Sequence, residues 1–283
     1  MAATDPITPV SRRVSVRLPR PLGIGLVTVV LVVIAVGLRI GIPIYRQQMA
    51  IREIERLGGT LRSEPGGPQW LRELLGDTRM MPFDAVVTVR LSNRQATDAT
   101  LADVSSLPEL KTLFLDGTHV TDAGLAHLKG LKKLDELRLY KTEVGDKGLK
   151  EISGLPNLEE LWLDDTHVTD SGLAHLVGMK KLSGLWLDNT HVSDAGLAHL
   201  NTIAGLAGLG LGGTEVTDAG LVHLKRMVIL RVLVLNNTQV TDQGLSHLKG
   251  LSELRWLRLK NTKVTDAGAD EMKHAVPDLW VER

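Results

Sequence analysis

The chain has 283 residues, no cysteine, and 33 basic residues matched by 33 acidic ones. The lack of cysteine excludes disulfide caps, zinc knuckles and thiol chemistry, and leaves the redox compartment open. A formal net charge of zero excludes a global basic field that would hold nucleic acid by counterion release, so no nucleic-acid partner is expected.

Residues 1–20 read as a basic tail carrying Arg12, Arg13, Arg17 and Arg20. In the adjoining segment, 21–45, no charge interrupts Pro21 to Leu38, and after Arg39 the run IGIPIY extends the apolar reach. That length predicts a membrane-spanning helix and a lipid bilayer as one partner. Beyond it, Arg46, Arg52 and Arg56 are mixed with Glu53 and Glu55. The positive-inside bias therefore puts the N-terminus in the cytoplasm and the rest outside it, in the periplasm or at the cell surface. The alternative is a cleaved signal peptide, for which Ala35-Val36-Gly37 is a passable site, although the apolar run exceeds a usual h-region. A buried core helix fails as a reading, because nothing downstream can surround an all-apolar helix.

Residues 46–84 read as juxtamembrane helices that cap the remainder of the chain. Ile51, Ile54 and Leu57 mark a short amphipathic helix ended by Gly58-Gly59, Pro65 to Pro68 break the chain, and Trp70-Leu71-Arg72-Glu73-Leu74-Leu75 starts a second helix. Trp70 alternatively sits at a lipid interface. A worn unit over 86–109 comes next, with Val86, Val89 and Leu91 at apolar positions and Arg94 in place of a Thr.

Seven regular units of 24 residues then occupy 110–277. A Thr marks each one, at Thr118, Thr142, Thr166, Thr190, Thr214, Thr238 and Thr262. Leu fills positions one, four and six of every unit, as in Leu110, Leu113 and Leu115, and the alternation at four and six predicts a short strand. Further on, Leu125, Leu128 and Leu131 fall three apart as one face of a helix, after Thr121 and Asp122 as N-cap candidates. Each unit is thus strand, turn, short helix, and neighbours bury one another's apolar faces. The Asp column, from Asp98 and Asp122 through Asp266, is assigned to the helix N-termini and not to catalysis, since it repeats in every unit. Residues 278–283 read as a partial further strand with one residue inserted, its edge covered by Trp280.

The pattern LxxLxLxxTxVTDxGLxxL resembles the leucine-rich repeat, in the class with a helix on the convex side shared by ribonuclease-inhibitor-like, F-box-associated and bacterial GALA-type arrays. The juxtamembrane wording LGGTLRSEPGGPQWLRELLGD more weakly resembles that of membrane-anchored bacterial leucine-rich-repeat proteins of unassigned function. The resemblance implies a right-handed α/β solenoid, or horseshoe, with parallel strands on its concave face and short helices outside, and it implies binding more often than catalysis. Where those families place Asn or Cys this chain has Thr118 and its equivalents, whose hydroxyls can bridge adjacent turns.

In such a sheet, positions three, five and seven point out of the concave face. Five of the nine aromatics in the chain fall there: Phe114, Tyr140, Trp162, Trp186 and Trp256. Together with Arg138, Asp116, Asp164, Asp188 and Arg258 they form the candidate ligand-binding set, an aromatic ladder flanked by carboxylates that suits a protein, a peptide or a cell-envelope polysaccharide. The competing reading is an internal stack, with Arg138 on its aromatic neighbours and no ligand. Charge is graded along the face, Asp116, Asp164, Asp165 and Asp188 early and Arg255, Arg258, Lys260 and Lys263 late, which fits a partner of split charge.

Other signals carry less. His127, His175, His199, His223 and His247 share one helical column, as His119, His167 and His191 share a loop column, but repetition produces such columns without a metal, and no HExxH accompanies them. The run Gly208-Leu209-Gly210-Leu211-Gly212-Gly213 imitates a nucleotide loop but lies on a strand, where it predicts a bare patch. No nucleophile, base and orienter grouping stands out, so no enzyme, cofactor or metal is expected. The favoured function is a membrane-anchored binding module. A structural, self-associating envelope scaffold is the alternative, and a cytosolic adaptor ranks third.

Overall fold

The computed structural model describes residues 21–203 and 205–283. The chain divides between Pro43 and Ile44 into two compact units. The first unit, as far as it is described, is the apolar part of helix α1 (Pro21–Arg56). Over Thr28–Arg56 this helix is long and apolar enough to cross a membrane, with a mean hydropathy of 2.2 in its most apolar stretch. The sequence predicts a break after residue 45, but α1 runs on through Pro43 to Arg56. The last turns have their own reason to stay helical: Ala50 and Ile54 are fully buried in the core of the second unit, with Ile51 and Leu57 packed against it.

The second unit is one ten-stranded sheet in chain order. Strand β1 (Thr60–Glu64) is antiparallel to β2 (Ala85–Arg90). All later neighbours are parallel: β3 (Thr112–Phe114), β4 (Glu136–Arg138), β5 (Glu160–Trp162), β6 (Gly184–Trp186), β7 (Gly208–Gly210), β8 (Val232–Val234), β9 (Trp256–Arg258) and β10 (Trp280–Glu282). Register follows the repeat, so that Leu113 pairs with Leu137 and Leu137 with Leu161. β1 has no signature among the Leu columns. Gly58, in the left-handed region at φ +71°, turns the chain back, and Gly59 approaches Leu91 and Arg90 so closely that a Cβ would strike both. The first strand is therefore covered by β1, while helices α2 (Gln69–Leu75) and α3 (Asp77–Met80) come after it, and α2 buries no side chain.

Each repeat closes with a short helix: α4 (Asp98–Val104), α5 (Asp122–Leu125), α6 (Asp146–Ile152), α7 (Asp170–Leu173), α8 (Asp194–Leu200), α9 (Asp218–Leu221), α10 (Asp242–Leu245) and α11 (Asp266–Ala275). Several are extended by a turn of tighter 3-10 helix, as at Ala126–Gly130. The Leu columns form one continuous core, with Leu110, Leu113, Leu115, Leu125, Leu128 and Leu131 all at 0% exposure. A solenoid buries its apolar surface between neighbours in this way, which is why the columns repeat without exception.

The Thr or Ser N-caps and the Asp in the first helical turn are as the sequence predicts, but the bridge between repeats is made by a different column. The marker Thr hydroxyl donates within its own turn, Thr118 Oγ1 to the Leu115 carbonyl at 2.6 Å and Thr190 to Leu187 at 2.7 Å, and does not bridge neighbours. The bridge is the Asp column. Asp170 accepts from the Ser193 amide at 2.7 Å and from its hydroxyl at 2.6 Å, and Asp194 takes Thr217 in the same way. The helix N-cap is the Thr or Ser before the Asp in every unit but the one with Gly145, as where Ala195 N donates to Ser193 Oγ at 3.3 Å. The staple also explains the Gly two residues after each Asp from Asp122 onward, since a Cβ on Gly196 would fall on the Asp170 carboxylate of the preceding repeat.

At the far end, Val281 pairs with Leu257, so the strand itself keeps the 24-residue register. Trp280 stands beside Trp256 on the last strand of the sheet, half exposed in the same outward row.

Candidate functional site

The outward positions of the sheet carry two structures. The first is a stack along position five. The Arg90 guanidinium lies 4.5 Å from the Phe114 ring centre, Arg138 lies 4.6 Å from Phe114 and 4.8 Å from Trp162, and Trp162 stacks on Trp186 at 4.7 Å with 20° between planes. The strand spacing of about 4.8 Å brings successive flat groups into contact. Arg138 is also held by Glu136, Nε to Oε1 at 2.7 Å, and the Trp186 indole donates to Glu160 at 3.3 Å. Trp186 then leans over the glycines of β7: a Cβ would come within 2.8 Å of its ring at Gly210 and 3.3 Å at Gly208. The predicted bare patch is thus roofed by Trp186, and Gly212 lies against Asp188.

The second structure is the row of acceptors at position seven. Asp164 accepts the Asp188 amide at 2.8 Å, Asp188 that of Gly212 at 2.7 Å, Asn236 that of Lys260 at 2.8 Å, and Asp116 that of Tyr140 at 3.3 Å. One oxygen of each side chain thereby closes the end of the next strand. Burial pushes Asp164 up to about 6, and the nearby carboxylates of Asp188 and Asp165 act in the same direction against the stabilising amide. Asp188 is also raised, first by burial and then by Asp165, with the Gly212 amide and Arg258 opposing.

Between these rows lies a cavity of about 830 Å³. Nine of the ten candidate residues line it: Asp116, Arg138, Tyr140, Trp162, Asp164, Trp186, Asp188, Trp256 and Arg258. The tenth, Phe114, is 8% exposed between Arg90 and Arg138 and faces a smaller hollow of about 270 Å³. Strand alternation missed Asn93 and Asn189, which also line the cavity, as does Asp165, expected among the early acidic residues of the face but not in the ligand-binding set. They occupy position eight, where every unit adopts a positive φ, from +53° at Lys141 to +67° at Gly213. The signal was the Asn, Asp and Gly enrichment of that column. Val232, at position three, completes the wall near Trp256.

Both cations of the cavity already have partners, Arg138 in Glu136 and Arg258 in Glu282 at 3.1 Å. Asp116, Asp164, Asp165 and Asp188 have no such partner among the described residues, so the cavity is negative. The Trp162 Nε1 is buried without an acceptor among those residues, an orphan donor in an otherwise satisfied stack. Among the described residues no group of three or more His, Asp or Glu side chains converges as a metal site.

In sequence comparison, no family model and no curated protein matches the chain. Solved structures do. An internalin (inlF) of Listeria monocytogenes superimposes with a TM-score of 0.57 at 21% identity, over 69% of this chain and 52% of that one. Internalin C2 of the same organism gives 0.58 at 26% identity, over 69% of this chain and 80% of that one. This chain thus spans about half the length of the first. With the repeated strand and helix units, these matches define the fold as a leucine-rich-repeat array, an α/β solenoid.

Proposed function

We propose that the chain is a membrane-anchored binding module whose strand face recognises a protein or peptide through the cavity between Tyr140 and Trp256. The observation that carries this reading is the pairing of half-exposed aromatics, Tyr140 at 36% and Trp256 at 50%, with carboxylates that have no cation of their own among the described residues. Aromatic rims around a concave polar floor are where binding energy concentrates. The charge balance favours a basic segment over a neutral glycan. The apolar helix over Thr28–Arg56 and the arginines before residue 21 support a single-pass anchor, with residues 1–20 cytoplasmic and the array outside the cytoplasm, capped by residues 46–84. No residue grouping supports catalysis.

The stack from Arg90 to Trp186 supports the competing scaffold reading, since it satisfies itself without a ligand. Replacing Tyr140 and Trp256 together by Ala separates the two, because neither residue is buried and folding should be preserved. The recognition reading expects partner recovery from envelope and secreted fractions to collapse, while His127→Ala on the helix side leaves it intact. Unchanged recovery by the folded double variant would refute recognition at this cavity.

A further inference from the structure

The most exposed large apolar side chains of the described array cluster in one short segment before its first parallel strand pair. In α2 and just beyond α3, Trp70 is 65% exposed, Leu74 73% and Met81 63%. This is a built surface and not a loose one. Met80 is fully buried, with its methyl group against Gly67. Arg72 donates to the Gly66 carbonyl at 3.0 Å and to Asp77 at 3.0 Å, and it also grips Asp84. Asp84 is tied in turn to Gln47, whose Nε2 donates to its carbonyl at 2.7 Å. The polar atoms are thus spent on holding the segment in shape, and the large apolar groups are left to whatever lies outside.

Gln47 identifies what that is. It sits on α1 two residues after Tyr45, where the apolar run gives way to Arg46, Gln47 and Gln48. Two residues of helix advance about 3 Å, so Asp84, the residue that closes the segment, is tied to α1 within one turn of the end of its apolar run. Tyr45, Trp70 and the exposed arginines at 46 and 79 are the residue types that favour that boundary.

We infer that Gln69–Phe83 is a membrane-surface foot, which rests Trp70, Leu74 and Met81 in the interface of the bilayer that α1 spans. The inference depends on the anchor reading above. It gives the second unit a contact with lipid of its own.

The chain has no cysteine, so single labels can be placed without altering it elsewhere. Full-length protein carrying Trp70→Cys or Leu74→Cys, labelled with an environment-sensitive fluorophore, is reconstituted in phosphatidylcholine and phosphatidylglycerol vesicles containing nitroxide-labelled lipid. His127→Cys, on the helix side of the array, serves as the control. The foot predicts loss of emission to lipid nitroxide at 70 and 74 and none at 127. Co-flotation with vesicles without quenching at 70 and 74 would sink the foot and leave the anchor standing. A blue-shifted label that lipid cannot quench would mean that a second copy or another protein covers the patch, which also overturns the inference. Failure to co-float would overturn the anchor and the foot together.

Discussion

Asp164 is the residue at which fold and site conflict most. Its carboxyl titrates near 6 in the folded chain against an ordinary value of 3.8, because burial and the Asp165 and Asp188 charges penalise its ionised form. Between those values the folded chain keeps a proton that the unfolded chain has released, so stability rises as pH falls from about 7 toward 4. Asp164→Asn retains the oxygen that accepts the Asp188 amide and removes the charge. It should gain on the order of 2 kcal/mol at neutral pH, after discounting for solvent access, and its denaturant midpoint should lose most of that pH dependence. A loss of stability at pH 7 would mean that the charge is already neutralised. Trp162 shows the same tension in a neutral group. Its buried indole N–H has no acceptor among the described residues, and such an orphan costs about 1–3 kcal/mol. Trp162→Phe keeps a ring between Arg138 and Trp186, so its thermal midpoint should match or exceed the parent, whereas Trp162→Ala should fall by several degrees. If the phenylalanine variant is stable but recovers less partner, the indole N–H is held in reserve for a ligand.

At the level of elements, the Asp staple explains more than the Leu columns, which any solenoid would show. One repeat lacks half of it: Gly145 replaces the usual Thr or Ser, and Asp122 accepts only its amide, at 2.7 Å. The backbone there is extended, at φ −135°, which Thr adopts easily. Gly145→Thr should supply the missing hydroxyl and an N-cap, raising stability by about 1 kcal/mol in chemical denaturation. No gain would mean that the His167 carbonyl, 3.3 Å from the new Cβ, does not yield. The strands and the buried columns were legible because burial imposes a strict period on Leu. The direction of the polar bonds was not, because a Thr hydroxyl can reach its own turn or the next with equal chemistry, and only Leu115 O at 2.6 Å decides for Thr118. β1 was illegible because an edge hairpin strand needs few apolar residues, and Thr60–Glu64 buries none fully. Nine site residues followed from strand alternation, while Asp165 and Asn189 are set by turn geometry, which alternation does not describe.

Across the whole molecule, every repeat touches only its neighbours, so stability is a sum of local and nearest-neighbour terms. A broken staple in the middle should therefore act unlike one at the end. Asp170→Ala orphans the Ser193 amide and hydroxyl, and should uncouple the repeats on either side and turn one unfolding transition into two with smaller m-values. Asp242→Ala removes the partner of Thr265, which serves only the last helix, and should fray that repeat while the main transition survives, as read by amide exchange. A single unchanged transition for Asp170→Ala would contradict nearest-neighbour coupling. The strand order, β1 to β10 without a crossover, also fixes how the molecule answers to force. The ladder bonds between strands run along the stacking direction, so tension applied between the two ends of the array is carried through every interface in series and the weakest yields first. Each repeat that lets go would release 24 residues, about 80 Å of slack. The array would then yield in small steps, each one repeat long, and not in one rupture.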